Sequence, residues 1–218
     1  MPAAPRRRPR TPKGRTVAAA AELAELYPDA ICELDHRSPF ELVAATILSA
    51  QCTDARVNAV TPALFAQYPT PAALAEAQPE LVEEIVHSTG FFASKARNLV
   101  GMGAALVERH GGEVPTALDD LVALPGVGRK TANLVRVVAF GLPGLPVDTH
   151  VIRVSNRLGL TTADDPVAIE HELGAFLPAA DRGPFGLRMI LHGRRVCVAK
   201  RPACGSCGLA PWCPSAGL

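Results

Sequence analysis

The sequence has no apolar run approaching the roughly 18 to 20 residues a membrane-spanning helix needs, so it offers no transmembrane candidate. Its start also lacks the apolar segment of a secretory signal. No self-similarity recurs at a fixed period, which removes solenoids and repeat arrays. Period-two alternation is nearly absent, which argues against a sheet protein. Charge of one sign is not in excess either: the net charge is +1, so overall electrostatics do not announce a nucleic-acid partner and local distribution must carry that argument. Lysine is scarce. Of the 22 basic residues only Lys13, Lys95, Lys130 and Lys200 carry a primary amine, which leaves few candidates for lysine chemistry. Cysteines are not spread as in a secreted disulfide framework. Six occur, and four of them crowd the last 22 residues, while Cys32 and Cys52 stand alone in apolar surroundings. A reducing cytoplasm, with a metal near the C-terminus, accounts for that distribution.

What the chain does have is enough apolar material, 48% of its 218 residues, to build a core, at a length suited to one large domain or two small ones. Residues 1–16 are basic and proline-rich (Arg6, Arg7, Arg8, Arg10, Lys13, Arg15) and read as a disordered tail with a loose attraction to phosphates. Helix signals fill the rest. Ser38-Pro39-Phe40-Glu41 supplies an N-cap, a proline at the first helical position and a glutamate three residues on. Thr70-Pro71 repeats the device. Ser94 opens another helix, stopped by Gly111-Gly112, and Thr116 with Asp119 opens a short one that ends before Pro125-Gly126. Further helices run from Arg129 to Phe140, after Asp148, from Pro166 to Phe176 and from Gly186 to Val196. About ten helices joined by short loops specify an all-α fold.

Four constellations carry chemistry. In the first, Leu124-Pro125-Gly126-Val127-Gly128-Arg129-Lys130-Thr131-Ala132, a short helix, a tight hairpin and a second helix follow with almost no linker. Two glycines two apart let the backbone approach a ligand, and the second helix adds its unsatisfied N–H groups and the positive end of its dipole. That makes a phosphate site that reads no sequence, against the plainer reading of an ordinary glycine turn. The second pairs Lys130 with Asp148. The helix start and Arg129 disfavour the ammonium and favour a reactive amine, able to displace a base at a sugar's anomeric carbon and form an imine. A carboxylate would favour the charged lysine, but could also accept the proton and stabilise positive charge on the sugar. The plain alternatives are a phosphate contact for Lys130 and an N-cap for Asp148. The third is Cys197-x6-Cys204-x2-Cys207-x5-Cys213, whose thiolates can converge on one centre; spacing alone leaves zinc and a four-iron cluster both open. Lys200 and Arg201 on its first loop form a basic ledge suited to phosphates. The fourth joins Leu48-Ser49-Ala50-Gln51-Cys52-Thr53-Asp54 to Thr89-Gly90-Phe91-Phe92. Gln51 at a helix end and Phe91 after a glycine could serve as plug and wedge while a base leaves the duplex, although the residues by themselves favour Gln51 as a plain surface residue and Phe91 as part of the core.

Taken in order, the chain resembles the endonuclease III family of helix-hairpin-helix DNA glycosylases with associated lyase activity. The resemblance rests on Leu-Ser-Ala-Gln-x-Thr-Asp (48–54), Gly-Glu-Val-Pro (112–115), Leu-Pro-Gly-Val-Gly-Arg-Lys-Thr-Ala-Asn (124–133), Val-Asp-Thr-His-Val-x-Arg-Val (147–154), Leu-His-Gly-Arg (191–194) and the four-cysteine spacing. It implies two lobes: a six-helix barrel at residues 32–142, and a discontinuous lobe of residues 17–31 and 143–218 holding a 4Fe-4S cluster on Cys197, Cys204, Cys207 and Cys213. It implies Lys130 as nucleophile, Asp148 as catalytic carboxylate and Gln51 as the residue that fills the vacated stack. Pro125, Gly126, Val127, Gly128, Arg129, Thr131, Phe91, Lys200 and Arg201 join Gln51 as expected DNA contacts. The implied partner is double-stranded DNA carrying an oxidised or ring-saturated pyrimidine or an abasic site, met by a monomer in a bacterial cytoplasm, on the nucleoid. The wedge loop departs from the family, where aliphatic residues are common at the positions of Thr89 and Phe91. Adenine glycosylases share the hairpin and the cluster spacing but lack a lysine at the position of Lys130. Two alternatives remain from the residues: a monofunctional glycosylase with Lys130 only holding phosphate, and a non-catalytic helix-hairpin-helix DNA-binding module.

Overall fold

In the computed structural model, residues 9–217 are described, and all their regular structure is helical. Arg6, Arg7 and Arg8 of the expected basic tail lie outside the described residues. No helix among those described is long and apolar enough to cross a membrane. The chain divides into two compact units, one built from Cys32–Leu142 and the other from the described part of Met1–Ile31 together with Pro143–Leu218.

The Cys32–Leu142 unit carries α2 (Pro39–Leu48), α3 (Asp54–Gln67), α4 (Pro71–Ala75), α5 (Pro79–Val86), α6 (Phe92–His110), α7 (Leu118–Val122) and α8 (Arg129–Phe140). Its organising element is α2, apolar on nearly every face and buried from Phe40 to Leu48, as a helix enclosed by others must be. Ser38 and Thr70 cap α2 and α4 as expected, accepting from the N–H groups of Glu41 and Ala73, and Thr53 caps α3 in the same way. Each such cap is worth about 1 kcal/mol. At Gly103 of α6 a Cβ would lie 2.8 Å from the Pro71 carbonyl oxygen, so the close crossing of α6 and α4 requires glycine.

Two starts differ from expectation here. α6 begins at Phe92, not at Ser94, because the Lys95 N–H already closes the first turn on the Phe91 carbonyl (3.0 Å). α7 follows Ala117, with no side-chain cap, rather than Thr116.

The other unit carries α1 (Pro12–Leu26), α9 (Thr149–Leu158), α10 (Pro166–Phe176) and α11 (Ala179–Arg195), then short 3-10 turns at Cys204–Ser206 and Ala210–Trp212. Its core gathers Leu23, Val151, Val154, Ile169, Leu173, Phe185 and Met189. The expectation of a disordered tail through residue 16 is corrected. Thr11 caps α1 through the Gly14 N–H, Pro12 occupies the first turn where its missing N–H costs nothing, and Thr16 is buried. Arg15 then ties this turn to the unit by donating to the Leu158 carbonyl (3.2 Å). α11 likewise starts at Ala179, ahead of Gly186, with Pro184 inside the helix.

Candidate active site and metal centre

The hairpin between α7 and α8 is pinned from below. The Leu124 and Val127 side chains are buried, and the Val127 N–H closes the turn on the Leu124 carbonyl at 3.0 Å. The Val127 side chain and N–H are thus both engaged within the protein, which leaves its carbonyl for any outside contact. Gly126 has φ +77°, and a Cβ there would lie 2.9 Å from the Asn98 Cβ, so the turn demands glycine. Gly128 is exposed at φ −90°, and a Cβ there would meet nothing within 4 Å. It precedes α8 without any side-chain cap, so the first-turn N–H groups, which have no intrahelical acceptor, end at an uncapped glycine. Pro125 packs on Gly101 of α6, and Arg129, Lys130 and Thr131 are half-buried along the first turn of α8.

Gln51 and Phe91, on the same unit, share one conformation. They are the non-glycine residues with positive φ among those described, at +53° and +49°. Such a conformation costs of order 1–3 kcal/mol and concentrates at functional positions. Gln51 is exposed, and Phe91 is 66% exposed rather than part of the core.

On the other unit, Asp148 caps α9 through one oxygen. Oδ1 accepts from the His150 N–H (2.8 Å) and the Val151 N–H (3.0 Å), and Oδ2 takes no part in the cap. Packing holds the next turn: a Cβ on Gly193 would lie 2.7 Å from the His150 Cβ, so α11 approaches α9 only through glycine. Burial pushes His150 below its ordinary value, Asp148 pushes it back up, and Arg153 and Arg194 push it down. Arg153 stands 3.0 Å from His150 Nδ1 and donates to the Gly193 carbonyl (2.8 Å) and the Cys197 carbonyl (3.0 Å). A continuous set of contacts thus runs from the Asp148 cap to the first cysteine of the C-terminal motif.

Cys197, Cys204, Cys207 and Cys213 carry free thiols and together line one pocket, with Arg157, Leu158 and His192 also on its wall. Among the described residues no three His, Cys, Asp or Glu side chains gather closely enough for a single metal ion. Four sulfurs set around a cavity suit a larger group. The surroundings suit an anionic one: Arg157 donates to the Cys197 sulfur (3.4 Å), and backbone N–H groups of Leu209 and Ala210 point at Cys207 and that of Ser215 at Cys213. Burial nevertheless pushes both Cys207 and Cys213 up from the ordinary thiol value. Burial also drives His192 down to about 4, so its ring is neutral. Tyr27 Oη lies 3.0 Å from its Nδ1, and Cys207 Sγ 3.6 Å from its Nε2. A neutral ring satisfies both by accepting from the tyrosine and donating to the sulfur. Lys200 and Arg201 are exposed on the loop between the first two cysteines.

Sequence reasoning gave no role to three residues that this arrangement uses: Arg153, Arg157 and His192. Arg157 also donates to the Val198 (2.8 Å) and Ala199 (2.7 Å) carbonyls, clamping the cysteine loop. Arg153 stood within the Val-Asp-Thr-His-Val-x-Arg-Val motif, but for Arg157 the signal was the i, i+4 spacing from Arg153 on α9, which by itself describes a solvated face.

Comparison with known proteins gives this geometry its context. Residues 44–179 match the family model of the HhH-GPD superfamily base excision DNA repair proteins. The endonuclease III of Synechocystis sp. is 54% identical over 195 residues, covering 89% of each chain. That of Bacillus subtilis is 45% identical over 193 residues, covering 88% of each. A solved structure of a trapped endonuclease III–DNA covalent intermediate with an estranged adenine superimposes with a TM-score of 0.89 at 46% identity, covering 94% of this chain and 96% of that one.

Proposed function

Because the chain belongs to the endonuclease III family, within the HhH-GPD superfamily of base excision DNA repair proteins, we propose Lys130 as its nucleophile and Asp148 as its catalytic carboxylate. The protein is a base excision repair DNA glycosylase with associated abasic-site lyase activity. The observation that carries the lysine assignment is its placement. Of the four lysines, Lys13 and Lys200 are exposed and Lys95 is buried with its Nζ on a carbonyl, whereas Lys130 is half-buried in the first turn of α8, beside the open backbone of Gly128.

In this reading the uncharged Lys130 amine attacks C1′ of an everted nucleotide. The N–C1′ bond forms as the glycosidic bond breaks, and the base departs with its electron pair. Asp148 stabilises the positive charge that develops on the sugar and takes the proton the nitrogen sheds. The nitrogen lone pair then opens the sugar ring, the C=N bond forming as C1′–O4′ breaks and O4′ takes a proton; the resulting imine acidifies C2′, loss of that proton expels the 3′ phosphate, and water then releases the lysine. Backbone N–H groups of Gly126 and of Gly128 to Thr131 hold the phosphodiester chain without reading sequence, with Pro125, the Val127 carbonyl and the Arg129 side chain beside them. Gln51 fills the vacated stack and Phe91 wedges it open. Lys200 and Arg201 add phosphate contacts. The substrates are oxidised or ring-saturated pyrimidines in double-stranded DNA, met by a monomer in the bacterial cytoplasm, at the nucleoid.

Cys197, Cys204, Cys207 and Cys213 hold a 4Fe-4S cluster in this reading, supported by their shared cavity and the N–H and Arg157 donors aimed at their sulfurs. When bound, the cluster supplies iron–thiolate bonds that fix the loop carrying Lys200 and Arg201. Two experiments test the whole. Borohydride should trap wild-type protein covalently on abasic duplex, Lys130→Gln should give no adduct, and Asp148→Asn should lose most activity; equal trapping by Lys130→Gln would end the lysine assignment. Purified protein should be brown and contain iron, and colourless protein with stoichiometric zinc would refute the cluster.

A further inference from the structure

Lys95 is the chain's buried lysine, 4% exposed, and the chemistry above leaves it idle. An ammonium is among the least favourable groups to enclose, and burial pushes this one below the ordinary lysine value. An apolar side chain of similar length would fill the space more easily, so the charge needs a reason.

Its contacts supply one. Nζ donates to the Thr89 carbonyl at 2.8 Å, while the Lys95 backbone N–H donates to the Phe91 carbonyl at 3.0 Å. One residue therefore grips the chain on both sides of the Gly90–Phe91 peptide. Thr89 is itself buried, its hydroxyl donating to the Val86 carbonyl at 2.8 Å, so the grip is anchored. Between the two anchored carbonyls the backbone passes through φ +70° at Gly90 and +49° at Phe91, which presents the phenyl ring outward. Cys52 is half-buried against the same core cluster as Ala96 and Leu99, the neighbours of Lys95 on α6. Cys52 follows Gln51, the other left-handed non-glycine residue described. A single buried cation thus anchors the segment that carries the wedge.

We infer that Lys95 is a positioning residue for base eversion, holding segment 89–91 so that Phe91 is presented to the base stack in one fixed orientation. This rests on the role proposed above for Phe91.

The test separates eversion from the later chemistry. Wild type, Lys95→Met and Lys95→Gln are compared in the full chain under single-turnover conditions on two duplexes, one with a ring-saturated pyrimidine and one with a preformed abasic site, where no base remains to be unstacked. Lys95→Met should slow excision of the base by about tenfold more than it slows abasic-strand cleavage. It should also blunt the fluorescence rise of a 2-aminopurine placed beside the lesion, and in a Phe91→Ala background its effect should shrink. A general loss of structure would depress both rates together. Equal losses on the two duplexes, or an unchanged ratio, overturn the inference. Should Lys95→Met fold poorly, Lys95→Gln, which keeps an N–H donor for Thr89 without the charge, is judged by the same ratio and should fall between Met and wild type. Wild-type protein that neither excises nor traps would instead remove the proposed function itself.

Discussion

Gly126 and Gly128 stand two residues apart in the hairpin, and replacing each with alanine should produce opposite outcomes. At Gly126 the backbone has φ +77°, and an L-residue held there loses about 1–2 kcal/mol. The added methyl would also sit 2.9 Å from the Asn98 Cβ, closer than carbon atoms pack, and forcing α6 or the hairpin aside costs about 1–3 kcal/mol. Gly126→Ala should therefore destabilise the protein by roughly 2–5 kcal/mol, a large part of a typical domain's stability. At Gly128 the backbone is at φ −90° and the methyl meets nothing within 4 Å. Stability should be unchanged or rise by about 0.4–1 kcal/mol, through the restricted unfolded chain. That methyl instead occupies the space a phosphate needs to reach the uncapped N–H groups of α8. Losing one charge-assisted hydrogen bond costs about 1.5–3 kcal/mol, so affinity for abasic duplex should fall about 10- to 100-fold. Urea unfolding gives the first quantity and fluorescence anisotropy at fixed salt the second. A Gly128→Ala protein that binds like wild type would refute close backbone approach at this point, and a Gly126→Ala protein with an unshifted urea midpoint would refute the conformational argument.

Two further substitutions probe the exposed left-handed residues. Phe91→Gly and Gln51→Gly relieve backbone strain and remove little burial, so each should leave stability within about 1 kcal/mol of wild type while slowing base excision about tenfold or more; thermal melts and single-turnover assays decide, and undiminished excision by both would remove the wedge and plug. Arg157→Ala removes the donor shared by the Cys197 sulfur and the Val198 and Ala199 carbonyls. It should loosen the cysteine loop by about 2–4 kcal/mol and speed iron loss to a chelator, and iron retention equal to wild type would count against the clamp.

Where a local side chain dictates local structure, the sequence was legible. Ser38, Thr70 and Asp148 each accept a hydrogen bond from the first turn of the helix they precede, and Pro166–Phe176 forms as its cap and periodicity require. Glycine spacing marked the hairpin, and four cysteines marked the cavity. Tertiary contact decided the rest. The prolines of the N-terminal segment argued for disorder, yet Pro12 falls at the one helical position that tolerates it, and Arg15 finds a carbonyl 143 residues away. Pro184 argued for a later start to α11; it forfeits a backbone hydrogen bond, but Gly183, Phe185 and Gly186 beside it are buried, and packing outweighs the loss. Arg153 and Arg157 become clamps once the loop around Cys197 folds over α9.

Gln51, Phe91 and Lys95 are a different case, since each is locally a poor choice. Glycine or asparagine would take the left-handed backbone at less cost than glutamine or phenylalanine. A polar side chain would suit a position 66% exposed better than a phenyl ring, and an aliphatic one would suit the interior better than an ammonium. Lys95 grips the very segment that carries Phe91. When unfavourable choices cluster on one loop and its support, the compensating free energy lies outside the isolated fold. With the wedge and plug roles proposed for Phe91 and Gln51, that source is a base stack, where an exposed ring would gain the burial the free protein denies it, and where a rigid, strained loop would enter without first losing the conformational freedom a relaxed one has.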